Sequence, residues 1–575
     1  MCILCNAGMP QRHFGQPLGV GSRQTTRRAF LAGAAAVGAT AAGLGLFAAR
    51  PTTAQVGVPP ARTGLPGSRY VIKGGSVMSM DPAIGDFVTA DVLVEGRRIL
   101  AVGPDLGASG EVIDATGRIV MPGFIDTHHH QFETALRSYL ADGVLILDND
   151  PAPEGADAYY TSILLGFAPV YRPQDVYISE LFGGLSQLDD GVTTVHDVSQ
   201  IHHTPQHSDA AIQALFDTGR RAAFGYFEGA GQGVVVNTPG YAYPQDAIRI
   251  YNKYFTSSDQ LVHMIMGGEV YLGPVSLEQS WTIGRRLGLQ VAAHILSPFG
   301  IRPTLDLLAQ NKAGSNGDIG IGPDNLFIHM TGMSDMAWNV VQAQGAQVSI
   351  ACPIEMNMRH GMPPILKLQS LGMEPSLSVD VECTLTADFF TQMRSMMNLQ
   401  RVLVNQMVLD QGNAPNAVDW GLPPAAAGNP WPAYPWSPAP AAVPLATRDV
   451  LRFATVNGAK ALRLDSKVGS LTPGKEADII ILDATRINVW PINQVPGAVV
   501  SLMDRTNVET VIVAGKVRKW KGVLLDVDLP ALRSQLQASR DYIFANAFNN
   551  SATVLAGGPM SGLKRGIPLD PFRSN

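Results

Sequence analysis

The stretch Ile119-Val-Met-Pro-Gly-Phe-Ile-Asp-Thr-His-His-His130 decides the fold of this chain. An apolar run passes through a Pro-Gly turn into a short buried strand that ends in His128 and His130. Because side chains alternate along a strand, these two imidazoles emerge on the same side. Two neutral nitrogens held side by side at the end of a strand are half of a divalent-metal site. Three consecutive histidines can also be a polar cluster on a loop, so the rest of the chain must decide.

Composition limits the class of protein. A chain of 575 residues with 46% apolar residues can bury a large core and should hold more than one structural unit. The net charge of −6 and a pI near 6.1 provide no basic surface, so no nucleic-acid partner is expected. Only Cys352 and Cys383 lie beyond the N-terminal region. Two cysteines make no disulfide framework, and both are most simply buried thiols.

Residues 1–54 are predicted to be a Tat-type signal peptide. The twin arginine Arg27-Arg28 precedes an uncharged, weakly hydrophobic Ala/Gly-rich stretch that continues to Ala49, and small residues permit cleavage after Ala54. An uncleaved membrane anchor and an ordinary Ala-rich helix are the alternatives. The signal predicts the Tat export machinery as a partner and a periplasmic or secreted location.

Beyond the signal, strand-like segments at 68–117 and 465–530 predict a small β-sandwich built from both ends of the chain, followed by an extension at 531–575. Between them, 118–464 alternates strands with helices, which favours an α/β fold of the (β/α)8 TIM-like barrel type. The eight barrel strands are predicted near 118–127, 191–197, 220–227, 261–269, 288–294, 325–329, 346–351 and 375–380.

Two segments depart from this repeat. Residues 131–172 form a long connection over the face where barrel enzymes bind substrate. The insertion at 411–445 carries nine prolines and three tryptophans, a composition that fits neither helix nor strand. It is either a surface excursion in polyproline conformation or a lid or subunit contact, and a homo-oligomer is expected.

Polar residues close several of the predicted barrel strands. They are His128 and His130 after the first strand, His294 after the fifth, His329 after the sixth and Asp380 after the eighth. Because the C-terminal ends of barrel strands converge, these side chains should meet at one point. A single histidine at such a place is usually a core residue, but four with an aspartate indicate a site.

This pattern resembles the amidohydrolase superfamily, in its cytosine deaminase-like and chlorohydrolase-like branch, over residues 68–530. Pro122-Gly-Phe-Ile-Asp-Thr-His-His-His130 looks like the family's first-strand metal motif, and Gly191-Val-Thr-Thr-Val-His-Asp197 looks like its second strand. Thr455-Val-Asn-Gly-Ala-Lys-Ala-Leu462 and Val468-Gly-Ser-Leu-Thr-Pro-Gly-Lys-Glu-Ala-Asp478 look like its return into the β-sandwich.

The resemblance implies a metal centre. By it, His128, His130, His294 and Asp380 would bind one divalent ion, Zn²⁺ or Fe²⁺, and His329 would contact the bound water or the substrate. Asp380 would take the water proton and pass it to the leaving nitrogen. No lysine ends the fourth strand, which argues against a binuclear site bridged by a carbamylated lysine.

One position departs from the family. Deaminases of this branch carry a proton-shuttling glutamate three residues after the fifth-strand histidine, where this chain has Ser297. Either Asp380 acts alone or another carboxylate replaces the glutamate. Glu355, just past the seventh strand, is the best candidate, whereas Glu133 and Glu382 are weaker.

For several further histidines, both a functional role and a non-catalytic surface position are possible. His202, His203 and His207 follow the second strand and could reach the substrate, but an exposed polar loop explains them equally well. Arg359-His360 is a possible anion contact.

The expected protein is an exported metal-dependent hydrolase of a small molecule. It would cleave a non-peptide C–N bond in a cyclic amide, an amidine or an amino-substituted heterocycle. Hydrolysis of an ester, a lactone or a carbon–halogen bond at the same site is one alternative. A periplasmic binding protein that has lost catalysis is another, since the glutamate is missing.

Overall fold

The computed structural model describes residues 57–107, 110–146, 157–229, 243–270, 274–297, 302–310, 319–410, 443–548, 566–567 and 569. The predicted signal at 1–54 lies outside these residues, as does most of the insertion at 411–445. The chain divides into two compact units after Val58, and every element named below belongs to the second unit. Across the part that the structure describes, no helix combines the length and the apolar character that crossing a membrane requires.

The described residues form strands that fall into two sheets. In chain order they are β1 (Arg69–Met78), β2 (Asp86–Glu95), β3 (Arg98–Gly103), β4 (Glu111–Asp114), β5 (Arg118–Pro122), β6 (Phe124–His129), β7 (Val192–Ser199), β8 (Arg221–Tyr226), β9 (Val262–Gly267), β10 (Gln290–Ile295), β11 (Asn325–His329), β12 (Gln347–Ile350), β13 (Ser376–Leu377), β14 (Ile479–Asp483), β15 (Val508–Val513), β16 (Lys516–Trp520) and β17 (Val523–Leu524).

Helices separate strands β6 to β13 from one another. Others lie between β13 and β15, and the last helix follows β17. They are α1 (Pro173–Asp189), α2 (Pro205–Thr218), α3 (Asp246–Tyr254), α4 (Pro274–Arg286), α5 (Arg302–Gln310), α6 (Asp335–Gln344), α7 (Cys352–Asn357), α8 (Ile365–Ser370), α9 (Phe389–Asp410), α10 (Thr447–Phe453), α11 (Val456–Ala461), α12 (Val495–Gly497) and α13 (Leu529–Asn546). Short 3₁₀ or π turns occupy Gln131–Leu136, Tyr160–Phe167, Ala168–Val170, Ala498–Leu502 and Arg505–Asn507.

Strands β6 to β13 form a parallel barrel in sequential order. The barrel closes between its first and last strands, where the His130 N–H donates to the Asp380 carbonyl at 2.9 Å and the Asp380 N–H donates to the His128 carbonyl at 2.9 Å. The predicted (β/α)8 barrel is therefore confirmed. Its seam holds three of the predicted metal ligands in register.

The nine-stranded sheet combines strands from both ends of the described chain. Nine strands pair in it, with β14 to β17 joined to β1 to β5 through the antiparallel pair of β14 and β5. Apolar side chains from both halves, such as Ile72, Val94, Ile479 and Ile512, share one buried core. One β unit thus draws on both ends of the chain, as the sequence predicts.

The deciding stretch connects the two sheets. The sequence predicts one strand near 118–127, but the structure contains two, with β5 in the nine-stranded sheet and β6 in the barrel. Gly123 separates them, and a Cβ there would lie 2.2 Å from the Thr193 side chain. The chain changes sheets where only a glycine fits, so the β unit extends to Pro122.

Candidate metal centre

Three imidazole nitrogens converge at the barrel seam. The Nε2 atoms of His128 and His130 lie 2.9 Å apart, and Nε2 of His294 lies 3.1 Å and 3.3 Å from them. Nitrogen ligands about 2.0–2.1 Å from a tetrahedral Zn²⁺ lie about 3.3 Å from one another. The three rings are buried, so their spacing fits one shared ion.

Asp380, the predicted fourth ligand, lies beside these nitrogens. Its Oδ1 lies 3.6 Å from Nε2 of His128 and 3.6 Å from Nε2 of His130. The residue has a φ of +73°, a left-handed conformation that costs energy in a non-glycine residue and is typical of functional sites. Burial raises the pKa of Asp380 well above its usual value. A buried carboxylate needs a cation to stay ionised, which this ligand set would provide.

His294 is oriented by Glu269, a residue that the sequence analysis did not assign. The Nδ1–H of His294 donates to Oε1 of Glu269 at 2.6 Å, and the His294 backbone N–H donates to Oε2 at 3.2 Å. Burial lowers the pKa of His294, but the charge and hydrogen bond of Glu269 together with the charge of Asp380 raise it overall. This is the carboxylate–histidine arrangement that points the other ring nitrogen at a metal. The sequence signal that could have identified Glu269 is its position, an acidic residue just past the fourth barrel strand.

Replacing Glu269 by glutamine should weaken metal binding by about 10–100-fold, the usual cost of losing such a partner. The neutral amide accepts the Nδ1 proton less strongly, so Nε2 becomes a poorer ligand. Competition with a chelator, followed by metal analysis, measures the change. The control Glu278→Gln lies on an exposed helix surface and should leave the affinity unaltered. Equal affinities in the two variants would contradict the orienting role.

His329 and Glu355 form a second pair of the same kind. The His329 Nδ1–H donates to Oε1 of Glu355 at 3.0 Å, and that oxygen also accepts the Ala351 N–H at 3.0 Å. Burial lowers the pKa of His329 well below its usual value, so the ring is neutral. With its proton on Nδ1, the ring presents a lone pair at Nε2, which lies 3.6 Å from Oδ2 of Asp380.

Glu355 thus lies behind His329, and it is not among the cavity-lining residues that the structure describes. Glu133 and Glu382, the weaker carboxylate candidates, are likewise not among the described residues that line the cavity. Glu133 accepts the Tyr159 hydroxyl at 2.6 Å, and burial raises its pKa to about 8. Glu382 accepts Arg137 at 2.7 Å. The proton-carrying role of Glu355 stays a prediction.

The predicted departure, Ser297, is exposed at the end of β10. Its backbone N–H donates to the Thr331 hydroxyl at 3.1 Å. A serine hydroxyl has no acid–base function near neutral pH, so no shuttle acts from this position.

The three histidines after the second strand are buried and paired, so the exposed-loop interpretation is wrong. Their Nε2 atoms each lie against a backbone carbonyl, His202 at 2.7 Å from Ser199, His203 at 2.9 Å from Ala168 and His207 at 3.0 Å from Tyr171. His203 and His207 therefore connect the segment after the first strand to the barrel, whereas His202 contacts the end of β7. Neither they nor the buried, unbridged Cys352 and Cys383 line the cavity that the described residues form.

A pocket with about 440 Å³ of empty space, part of it open solvent, lies over the predicted metal ligands. His360 lines it, buried, with no hydrogen-bond partner at either ring nitrogen among the described residues. The remaining wall is mainly apolar. The lining residues are His130, Leu145, Tyr159, Leu164, Gln200, His294, Leu296, His329, Met358, His360, Asp380 and Val381.

Comparison with known proteins identifies relatives. A model of the amidohydrolase family matches residues 438–518. The 5'-deoxyadenosine deaminase of Methanosarcina barkeri is 26% identical over 78% of this chain and 92% of its own length. The 5-methylthioadenosine/S-adenosylhomocysteine deaminase of Thermococcus kodakarensis is 26% identical over 78% of this chain and 93% of its own length.

Solved structures share the fold. A zinc-bound adenosine deaminase from Xanthomonas campestris has a TM-score of 0.61 at 18% identity, covering 84% of this chain and 99% of that protein. An atrazine chlorohydrolase from Arthrobacter aurescens TC1 complexed with zinc has a TM-score of 0.66 at 18% identity, covering 82% and 100%. At this identity the likeness establishes the barrel architecture alone.

Together these findings show that this chain is similar in sequence to amidohydrolases. They confirm the predicted class of enzyme, a hydrolase acting on carbon–nitrogen bonds other than peptide bonds. The clustered histidines and aspartate confirm a site able to hold a divalent ion.

Proposed function

We propose that this protein is an exported, metal-dependent amidohydrolase that cleaves a C–N bond in an amino-substituted or cyclic-amide heterocycle. The observation that carries the proposal is the convergence of three Nε2 atoms and one carboxylate oxygen at the mouth of the barrel. The deaminase names of its relatives support the heterocyclic substrate class.

The residues present divide the work of such a reaction. His128, His130, His294 and Asp380 would hold a divalent ion, which would act as a Lewis acid and lower the pKa of water toward neutrality. Asp380 turns Oδ1 toward this point. Its Oδ2 lies beside His329, has no hydrogen-bond partner among the described residues and can therefore accept a proton. The same carboxyl can return the proton to the leaving nitrogen.

The cavity wall suits a flat ring. Leu145, Leu164 and Leu296 offer apolar contacts, and burying a ring against them is favourable. The Gln200 side chain carries a buried carbonyl oxygen without a partner among the described residues, so it can accept a ring N–H or an amino group. An apolar wall that carries a small number of polar groups favours a neutral heterocycle over a charged chain.

A panel of substrates tests the proposal. The protein loaded with Zn²⁺ should release ammonia from an amino-substituted purine nucleoside or pyrimidine, or open a cyclic amide. Ammonia and new carboxylate are measured in parallel. The Asp380→Asn protein serves as control for contaminating activity. Release of neither product from any member, by protein with full metal content, would contradict the proposal.

The exposed Ser297 favours a second candidate, hydrolysis of a carbon–halogen or ester bond. A halide leaves without being protonated, and the alkoxide or phenoxide of an ester needs protonation less than an amine does. Both reactions therefore tolerate the loss of the glutamate better than deamination does. Halide release from a chloro-substituted heterocycle, with no ammonia from its amino analogue, would select this activity.

The twin arginine supports export, and its replacement provides a prediction. Arg27-Arg28 changed to Lys-Lys should retain the protein in the cytoplasm, because the Tat pathway requires the arginine pair. Fractionation of cells expressing either form measures the distribution. A Tat-deficient host should retain the unaltered protein equally. Normal recovery outside the cytoplasm in both cases would show that the N-terminus is not a Tat signal.

A further inference from the structure

A second group of ligand atoms lies on the cavity side of Asp380. Oδ2 of Asp380 lies 3.6 Å from Nε2 of His329 and 3.9 Å from Nδ1 of His360. The two rings meet edge to face, with centroids 4.9 Å apart. One potential ligand atom from each of the three residues lies within 4.8 Å of the others. They come from β11, the turn after α7 and the end of the last barrel strand.

The potential ligand atoms of His360 and Asp380 are buried without hydrogen-bond partners among the described residues. His360 is 4% exposed and Asp380 is 3% exposed. Among the described residues, neither ring nitrogen of His360 has a hydrogen-bond partner, and neither does Oδ2 of Asp380. Buried polar atoms are normally paired, since leaving them unpaired costs free energy. The exception therefore points to a ligand that meets all three residues.

We propose that His329, His360 and Asp380 bind a second divalent cation, such as Zn²⁺, beside the first. The proposal rests on the proposed function, because Asp380 would be shared, with Oδ1 toward the first ion and Oδ2 toward the second. Two imidazoles and a carboxylate are a typical three-residue zinc set, with a water completing the coordination. Carboxylate-bridged ions in hydrolases lie about 3.5–4 Å apart.

The orientation of His329 supports a ligand role. Glu355 accepts its Nδ1 proton, which leaves the Nε2 lone pair facing Asp380. The same arrangement at His294 and Glu269 serves the first ion. No bridging lysine is needed, because the carboxylate of Asp380 connects the two positions. His360 lacks a carboxylate partner of this kind, so the second position should bind more weakly.

An ion there would change the chemistry. Coordination through Oδ2 removes the proton acceptor from Asp380, and the ion would lie in the space that a substrate ring must enter. Excess metal should therefore inhibit the enzyme, with the first equivalent activating and the second inhibiting.

The count of bound ions tests the proposal without using activity. Protein is dialysed to equilibrium against limiting and excess Zn²⁺, and bound metal is measured by mass spectrometry. The unaltered chain should hold one ion per chain at limiting Zn²⁺ and two at excess. His360→Asn should hold one under both conditions. The control Arg359→Gln, a neighbour on the same turn outside the cavity lining, should hold two.

Further outcomes separate this proposal from the proposed function. A single ion at excess Zn²⁺ in the unaltered chain, lost in His128→Ala, would overturn the second position and leave the first intact. Two ions in both the unaltered chain and His360→Asn would also overturn it. If His360→Asn misfolds, paramagnetic resonance of the unaltered chain with two equivalents of Mn²⁺ decides. Coupled spectra support adjacent ions, and uncoupled spectra overturn the proposal.

Discussion

Replacing His128 by alanine is expected to remove both the bound metal and the activity. Its Nε2 lies within 3.1 Å of the other two converging nitrogens and 3.6 Å from the Asp380 carboxylate, so it is central to the ligand set. Without it, two imidazoles and a carboxylate remain, and the three-nitrogen cage is lost. Metal analysis of purified protein, together with turnover on the substrate found in the panel, measures both losses.

His203→Gln provides the matched control for His128→Ala. His203 is also a buried histidine. Its Nε2 contacts the Ala168 carbonyl and its ring packs against His207, and glutamine can keep a donor to that carbonyl. This variant should retain metal and activity. Full metal content in His128→Ala, with a normal fold, would refute the assignment of the centre.

The barrel and the four metal residues could be predicted from the sequence for one physical reason. Strand periodicity places His128 and His130 on one side, and parallel strands in a barrel bring their C-terminal ends together. His294 and Asp380 close apolar runs at the corresponding places. These are local patterns whose consequence follows from topology alone.

The residues behind the ligands could not be predicted in the same way. Glu269 pairs with His294 across neighbouring strands, and Glu355 reaches back to His329 from a helix that begins after β12. Such pairs depend on strand register and on the left-handed backbone at His329, with a φ of +73°. Neither is encoded in a local pattern of residue types.

The burial of these further histidines could not be predicted from the sequence either. The histidines after the second strand occur among polar residues, which is typical of an exposed loop. In the structure the turns at 168–171 cover them, and their ring nitrogens contact the carbonyls of Ala168 and Tyr171. His360 is buried as well, yet without partners. Only tertiary contacts separate these two cases.

Asp380→Asn should lower the turnover rate by about 10²–10⁴-fold, the usual contribution of a positioned acid–base group. The amide keeps the shape of the side chain but cannot accept a proton, and no other carboxylate lines the cavity among the described residues. Three imidazoles still hold some metal, so rates are compared per bound ion. Near-normal turnover with metal retained would contradict the role of Asp380.

Glu355→Gln then distinguishes one proton carrier from two. Because Glu355 contacts Nδ1 of His329 and does not line the cavity, its loss should act through the orientation of that ring, at a cost of about 10–100-fold. A glutamate that protonated the leaving group directly would cost as much as Asp380→Asn. Because such an acid must be protonated to act, its loss would remove the alkaline limb of the pH–rate profile. A smaller loss with that limb preserved leaves Asp380 as the sole shuttle. The position of Glu355 behind His329 favours this second result, and an equal loss in the two variants would overturn it.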